Sequence, residues 1–124
     1  MKDKKCFERA QKEFGKTLEL KHRRDNYKMI KPKLCFEWDP IKNDSNFRKH
    51  GVTFEKAIGV FFDERAVVIA DPDNSGEEER FLILGFSTKA RLLVVCHCLR
   101  NEGETIRIIS ARKATHREAA HYRG

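Results

Sequence analysis

The last apolar segment of the chain, Ile106–Thr115, constrains the fold more than any other stretch. It is rich in the β-branched residues typical of a strand, and it also carries two arginines, Arg107 and Arg112. Because an unpaired buried charge is costly, we expect an anionic group, either a carboxylate or a phosphate, close to these guanidinium groups. Thr115 and Glu118 then have the spacing of a capping box, which predicts that a helix begins directly after the strand.

The spacing of the two arginines bears on the shape of this strand. Arg107 and Arg112 are five positions apart, so a regular strand would turn their side chains to opposite faces. The two side chains can share a face only if the strand ends or bulges near Ser110. The helix that follows so soon makes such an irregularity an expected feature.

Capping signals predict two helices before the sheet-forming part of the chain. Asp39 is an N-cap acceptor and Pro40 occupies the first helical position, while Gly51 is the expected C-terminal stop. A second helix is capped by Thr53. From Phe54 onward its apolar residues recur with helical spacing, which predicts a stripe that faces a sheet.

Apolar runs predict strands before and after these helices. A short strand covers residues 34–38. Four strands follow the helices, and their short connections favour antiparallel pairing, because a parallel crossover needs a dozen or more residues; their ranges are 66–70, 80–86, 91–99 and 105–112. We therefore predict an α+β fold with two N-terminal helices packed on a four-stranded antiparallel sheet and a short C-terminal helix.

The positive charge of the chain is confined to its N-terminal segment. Residues 1–34 hold 12 Lys and Arg against 5 Asp and Glu, a net charge of +7, whereas residues 35–124 hold 14 of each. A cluster of positive charge favours nucleic acid, but here it lies in one separable segment. We interpret residues 1–33 as a basic extension or linker and residues 34–124 as the folded domain.

Two interpretations of the basic segment stay open. Phe7, Phe14 and Leu18 have helical spacing, which would allow a short amphipathic helix. Alternatively, Met29 is the native start, in which case residues 1–28 are not translated.

Composition argues against a membrane or a secreted protein. No apolar run approaches the roughly 18–20 residues of a membrane span, and the N-terminus lacks the apolar stretch of a signal peptide. The four cysteines show no framework spacing, so we expect reduced thiols in a cytoplasmic protein. Cys96, His97 and Cys98 alternate faces on a strand, so we interpret them as structural residues and expect neither a metal nor another cofactor.

A set of motifs distributed over most of the chain carries a family resemblance. The motifs are Phe36-Glu37-Trp38-Asp39, Asn46, Lys49-His50-Gly51-Val52, Phe54-Glu55, Ala57, Asp71-Pro72-Asp73, Glu79-Arg80, Gly85, Arg91-Leu92-Leu93-Val94-Val95, Ile106-Arg107-Ile108-Ile109-Ser110-Ala111-Arg112-Lys113-Ala114, Arg117-Glu118 and Tyr122. In this order and spacing, which cover about residues 34–124, the sequence resembles the BrnT family of bacterial toxins. Residues 1–33 lie outside the resemblance.

The resemblance implies a fold, an activity and a partner. The fold would be RelE-like, and the activity would be that of a ribonuclease that inhibits translation. The partner would be a BrnA-type antitoxin, a ribbon-helix-helix protein through which the toxin reaches its operator DNA. The RNA substrate, free or on the ribosome, would be the second macromolecule bound.

Cleavage of RNA without a metal requires a base, an acid and a group that stabilises charge on the phosphate. Arg112 is the candidate for phosphate contact, because the planar guanidinium matches two phosphate oxygens; the alternative is a salt bridge to Glu79 or Glu118. Arg107 is a second catalytic candidate, or else pairs with a carboxylate on the neighbouring strand. His97 could act as general acid or base, or be a satisfied polar residue of the strand.

Five further residues are candidates for RNA contact. Lys49 and His50 also suit a helix C-terminus, where the dipole favours cations. Arg80 and Arg91 border the strands of a predicted hairpin. Tyr122 could stack on a base, although an aromatic residue near a C-terminus can equally pack on the core.

A non-catalytic alternative fits the same sequence. The region 35–124 has no net charge, which offers little general affinity for RNA. The chain could therefore be a subunit that binds the antitoxin and assembles a repressor complex, with its arginines in salt bridges. A third hypothesis, a nucleic-acid binder through the basic segment alone, depends on residues 1–28 being translated.

Overall fold

Strands and helices alternate along the part of the chain described by the computed structural model, which comprises residues 3–8, 33–72, 78–88 and 90–122. The elements, in chain order, are β1 (Asp3–Glu8), β2 (Lys33–Trp38), α1 (Pro40–His50), α2 (Phe54–Ala57), a 3₁₀ helix (Ile58–Phe62), β3 (Val67–Ala70), β4 (Phe81–Phe86), β5 (Leu92–Arg100), β6 (Thr105–Lys113) and α3 (His116–Ala119). The predicted α+β class is confirmed.

The six described strands form one mixed sheet in the order β1-β2-β6-β5-β4-β3. β2 pairs with β6 in parallel, and the other neighbours are antiparallel. The expected RelE-like arrangement of two N-terminal helices on four antiparallel strands is therefore wrong in these particulars. β2, which precedes the helices, lies inside the sheet beside β6. The chain between β2 and β6 is long enough for the crossover that parallel pairing requires.

Local capping fixes the ends of α1 as the sequence predicts. The Asp39 carboxylate accepts a hydrogen bond from the Ile41 N–H at 2.9 Å, and Pro40 follows it. Gly51 ends the helix at φ 71°, a left-handed conformation that glycine adopts without steric cost. The second predicted helix is shorter than its apolar stripe, since four α-helical residues give way to the 3₁₀ helix.

One face of the sheet carries the core, and we call it the core face. Side chains of β2, β4, β5 and β6 pack there against Phe54 of α2 and Phe61 of the 3₁₀ helix. The strand side chains include Phe36, Trp38, Ile83, Val95, Ile106 and Ile108. We call the other side the open face. It is the side on which the candidate site lies.

Helix α1 is joined to the sheet through a single buried side chain, Asn46. Its amide donates hydrogen bonds to the carbonyls of Val52 (2.9 Å) and Ala111 (2.8 Å) and accepts one from the Ala111 N–H at 3.1 Å. β2 pairs with β6 only along residues 105–107. Asn46 therefore supplies, further along β6, the hydrogen bonds that a neighbouring strand would supply.

A bulge in β6 decides where its arginines point. Cys96 pairs with Ser110 and His97 with Ile108, so Ile109 is an extra residue on β6. Beyond the bulge the alternation of side chains is shifted by one position. Arg107 and Arg112 consequently lie on the open face together, and the predicted irregularity near Ser110 is confirmed.

The N-terminal segment contributes an edge strand. β1 pairs with β2, and Cys6 and Cys35, which face each other in the register, form a disulfide. The expectation of four free thiols is therefore wrong for this pair, whereas Cys96 and Cys98 are free. Phe7, the first residue of the helix considered for Phe7 to Leu18, lies in β1 and pairs with Leu34. The other two residues of that pattern, Phe14 and Leu18, lie outside the described residues.

Helices in the described ranges are too short or too polar to cross a membrane.

Candidate active site on the open face of the sheet

A groove of about 320 Å³ lies on the open face, and it is the structural basis of the candidate site. Aliphatic side chains of β3, β4 and β5 form its floor, and residues of the C-terminal segment form its polar rim; the lining residues are Val67, Ile69, Leu82, Leu84, Val94, Glu118 and His121. Ile69, on strand β3 at the sheet edge, is 53% exposed. The groove is thus an open apolar surface with ionisable groups along one side.

Arg112 and Glu118 form a two-pronged ion pair beside this groove. Arg112 Nη1 and Nη2 each donate a hydrogen bond of 2.7 Å to a different carboxylate oxygen of Glu118. Arg112 lies opposite Val94, which lines the groove, in the register of β5 and β6. Its side chain is 38% exposed, so the fork is accessible from solvent.

The capping box of α3 holds Glu118 in this position. The Thr115 hydroxyl accepts a hydrogen bond from the Glu118 N–H at 3.1 Å, and the Glu118 carboxylate accepts one from the Thr115 N–H at 2.9 Å. The predicted capping box is therefore present, with both of its hydrogen bonds. β6 ends at Lys113, two residues before the Thr115 cap, and the short connection places the Glu118 carboxylate over Arg112.

The ion pair is fully charged at neutral pH. The hydrogen bond from Arg112 is the largest cause that lowers the pKa of Glu118 to about 2, with the Thr115 N–H acting in the same direction and burial opposing both. The hydrogen bond to Glu118 in turn raises the pKa of Arg112. The sequence analysis had named Glu118 only as a structural partner of Arg112, and that contact is confirmed.

His121 is a third ionisable side chain at the groove. It is exposed, and its backbone N–H donates to the Glu118 carbonyl at 3.0 Å, just past the end of α3. The sequence analysis does not name it as a site residue, because it lies beyond the strand that carries the two arginines. The available signal was its position three residues after Glu118, a spacing that places side chains on the same side of a helical turn.

A carboxylate and an imidazole therefore line one apolar groove, and a guanidinium bound to that carboxylate lies beside it. The guanidinium can bind two oxygens of a phosphate. The carboxylate can accept a proton, and an imidazole can accept or donate one near neutral pH. These are the groups that phosphodiester cleavage through protein side chains requires.

Arg107 occupies a separate cluster at the other end of β6. Its Nη1 lies 3.6 Å from Glu37 Oε2, and Glu37 is its register partner on β2. Arg100 Nε lies 3.8 Å from the same oxygen, and Arg100 Nη2 lies 3.0 Å from Glu78. The cross-strand pairing considered for Arg107 is thus what the structure contains, and the groove lining does not include Arg107.

His97 lies on the core face, away from Arg112. Its side chain is 0% exposed, its ring packs edge-on against Phe61 at 4.9 Å, and Nδ1 lies 3.2 Å from the Val95 carbonyl. Burial lowers its pKa to about 4. An imidazole in this position is shielded from RNA, so the structure places this catalytic candidate in the core.

Cys96 and Cys98 lie on the opposite face from His97, as strand alternation predicts. Burial, and secondarily Asp71, raises the pKa of Cys96 to about 11, and its thiol donates to Asp71 at 3.6 Å. Burial also raises the pKa of Cys98. Among the residues the structure describes, no three His, Cys, Asp or Glu side chains are grouped to hold a metal ion.

The candidate RNA contacts fall at different places. Lys49 and His50 are exposed at the C-terminal end of α1. Arg80 and Arg91 are exposed at opposite ends of the β4–β5 hairpin. Of these, Arg91 lies nearest the groove end of β6, since the carbonyl of the next residue, Leu92, accepts a hydrogen bond from the Ala114 N–H at 2.9 Å.

Tyr122 anchors the C-terminal segment to the body of the domain. Its hydroxyl donates to Asp63 Oδ2 at 2.6 Å, and its ring meets Phe86 edge-on at 5.0 Å. Burial and this hydrogen bond raise its pKa to about 12. The packing alternative considered for Tyr122 is therefore present, and its ring edge is engaged by Phe86.

Comparison with known proteins gives a family match and a structural likeness. Residues 38–118 match the family model described as "Ribonuclease toxin, BrnT, of type II toxin-antitoxin system". A 1.1 Å crystal structure of the Brucella abortus ribonuclease toxin BrnT is 22% identical and covers 63% of this chain and 92% of its own, with a TM-score of 0.43. A likeness this weak adds nothing to the family match. No curated protein sequence matches.

Proposed function

This chain belongs to the BrnT family, the ribonuclease toxins of type II toxin–antitoxin systems, and from that premise we propose that it is a metal-independent endoribonuclease that inhibits translation. The observation that supports the proposal is the Arg112 fork at the rim of the open groove. It binds two oxygens of a carboxylate at 2.7 Å, and a phosphate group offers two oxygens in a similar geometry.

The groups that the groove provides support the proposed independence from metal. Glu118 and His121 line it and Arg112 borders it, so a base, an acid and a charge-stabilising group all come from the chain itself. Arg107 belongs to the cluster with Glu37 and Arg100. We assign it a role in holding β6 against β2 rather than in contacting RNA.

Binding of RNA would depend on local charge, since the region 35–124 has no net charge. Arg91 and Lys113 are exposed at the same end of the sheet as Arg112. Together they form the positive edge along which we place the RNA backbone. Lys49, His50 and Arg80 remain candidates for contacts outside the groove, and Tyr122 is assigned to anchoring.

The proposed partner is a BrnA-type ribbon-helix-helix antitoxin. Membership of a type II toxin–antitoxin family supports a protein antitoxin as the neutralising partner. In this proposal the toxin acts in the cytoplasm, on RNA that is free or held by a ribosome, and reaches operator DNA only through the antitoxin.

The test is cleavage of RNA by the full chain in EDTA, with and without translating ribosomes. Arg112→Ala should reduce the cleavage rate by about 10²–10³-fold, the usual effect of removing a group that stabilises transition-state charge. Arg65→Ala is the matched control, because Arg65 is exposed and lies outside the groove lining. In a cell-free translation assay, the parent should arrest synthesis and the Arg112 variant should not.

The opposite result would favour the non-catalytic alternative. The observation that favours this alternative is that both Arg112 and Arg107 form ion pairs with carboxylates. If the folded parent left RNA intact in both settings, the chain would be a subunit that binds the antitoxin without catalysis.

A further inference from the structure

We propose that Glu118 and His121 are the general base and general acid of the cleavage, and that Glu118 is released for this role when the substrate phosphate replaces it on Arg112. This inference rests on the proposed ribonuclease function and names two of its catalytic residues. Two observations support it: both side chains line the groove, and the two terminal nitrogens of Arg112 are both hydrogen-bonded to Glu118.

The carboxylate of Glu118 occupies the place a phosphate would take. Both prongs of Arg112 are engaged, each on a different Glu118 oxygen. A phosphate that binds Arg112 Nη1 and Nη2 must therefore displace the carboxylate of Glu118. The displaced carboxylate then lies directly beside the bound phosphate. The Arg112 guanidinium thus exchanges one anionic partner, the carboxylate, for another, the phosphate.

Displacement of Glu118 does not expose the core. Helix α3 has no buried residue, so a shift of Glu118 uncovers none of the core. The segment that follows the helix stays attached to the domain through the hydrogen bond from the Tyr122 hydroxyl to Asp63. Glu118 can therefore leave Arg112 without detaching the segment that carries it.

Release also changes the chemistry of the carboxylate. The hydrogen bond from Arg112 is the largest cause that holds the pKa of Glu118 low. When a phosphate takes over that guanidinium, this cause is removed and the carboxylate binds a proton more readily. Binding of the substrate thus converts a structural counter-ion into a base.

His121 completes the pair from the same rim. It lines the groove together with Glu118 and is exposed to solvent. The protonated form of its imidazole can give a proton to a leaving oxygen. No other histidine lines the groove among the residues described by the structure.

The proposed reaction is a transphosphorylation within the RNA. The 2′-hydroxyl gives its proton to Glu118 while its oxygen forms a bond to phosphorus. The bond from phosphorus to the 5′-oxygen breaks, and that oxygen takes a proton from His121. Arg112 holds the non-bridging oxygens, and the products are a 2′,3′-cyclic phosphate and a free 5′-hydroxyl.

The experiment separates the acid from the base by the leaving group. The full chain, Glu118→Gln and His121→Ala are assayed on one oligoribonucleotide and on its analogue with sulfur in place of the bridging 5′-oxygen. A thiolate leaves without a proton, so a missing acid matters little for the analogue and a missing base still matters. Each variant should lose about 10²–10⁴-fold on the normal RNA, the usual range for one acid or base. On the analogue, His121→Ala should recover to near the parental rate and Glu118→Gln should not.

Two control substitutions distinguish a specific effect from a general one. His116→Ala and Glu64→Gln change exposed residues of the same types outside the groove lining, and both should cleave like the parent. Circular dichroism and thermal melting establish that each variant is folded. If the folded His121 variant cleaved the normal RNA at the parental rate, or stayed impaired on the analogue, the acid role would be wrong. If Glu118→Gln retained full activity or gained activity, the base role would be wrong and Glu118 would be only a competitor for Arg112.

Failure of the ribonuclease proposal itself has a different signature. In that case the parent leaves both substrates intact, with or without ribosomes, and the variants do not differ from it. Cleavage by the parent that yields products without a 2′,3′-cyclic phosphate would preserve the ribonuclease function and overturn the proposed pair.

Discussion

Asn46 and Ala111, 65 positions apart, share two hydrogen bonds that take the place of strand pairing. This contact holds α1 against β6 at the position preceding Arg112. We expect Asn46→Leu to destabilise the domain by about 3 kcal/mol or more, because it leaves buried backbone groups of Ala111 and Val52 without partners. Urea unfolding measures this, with Lys42→Ala, an exposed change on the same helix, expected to shift stability by less than about 0.5 kcal/mol. Equal stabilities of the two variants would refute the structural role.

Acid should weaken the contact between Glu118 and Arg112. The pKa of Glu118 is lowered from 4.5 to about 2 in the folded protein, so its stabilising contribution is complete above pH 4.5 and is lost as the pH falls toward 2. Glu118→Gln should therefore melt at a lower temperature than the parent at pH 6, and the difference should shrink as the pH falls from 4.5 to 2. Melting curves across this range test the claim, and a gap that stays constant with pH would contradict it.

His97 should influence stability and leave catalysis unchanged. Burial lowers its pKa from 6.5 to about 4, so between these values the unfolded chain binds a proton that the folded domain does not. The free energy of unfolding should consequently decrease as the pH falls from 6.5 to 4 and level off below that. His97→Leu should remove this component and retain RNA cleavage. A folded variant that lost cleavage would restore His97 as a catalytic candidate.

Tyr122 should hold the C-terminal segment in place. Tyr122→Phe removes the hydroxyl that donates to Asp63 and keeps the ring contact with Phe86. We expect a loss of about 1 kcal/mol, the typical net value of one hydrogen bond. Hydrogen exchange should become faster in residues 116–122 and stay unchanged in β5. Uniform exchange in parent and variant would show that the anchor lies elsewhere.

The features that sequence analysis predicted correctly depend on short-range chemistry. Asp39 with Pro40 and Thr115 with Glu118 are capping signals complete within a few residues, and both helices begin where these signals lie. The odd spacing of two arginines likewise identified a strand end or a bulge near Ser110 as the condition for both to share a face, because strand alternation is a local rule.

The features that were missed depend on long-range contacts. Parallel pairing of β2 with β6 joins segments about 70 residues apart, and no local pattern marks it. The burial of His97 could not be predicted from alternation on β5. Both neighbours of His97 are cysteines and the flanking residues are apolar, so the pattern does not distinguish the buried face from the other. The position of His121 at the groove likewise depends on the packing of α3 against the sheet, where Glu118 binds Arg112.

The absence of buried residues in α3 separates the site from the stability of the domain. Residues that form a core are constrained by packing, and changing one of them usually costs stability. The ionisable groups of α3 carry no such packing constraint, so under the proposed function substitution there would alter RNA cleavage while the sheet persists. A lineage that needs a weaker toxin could reach it through the C-terminal segment alone and still produce a folded protein for the antitoxin to bind.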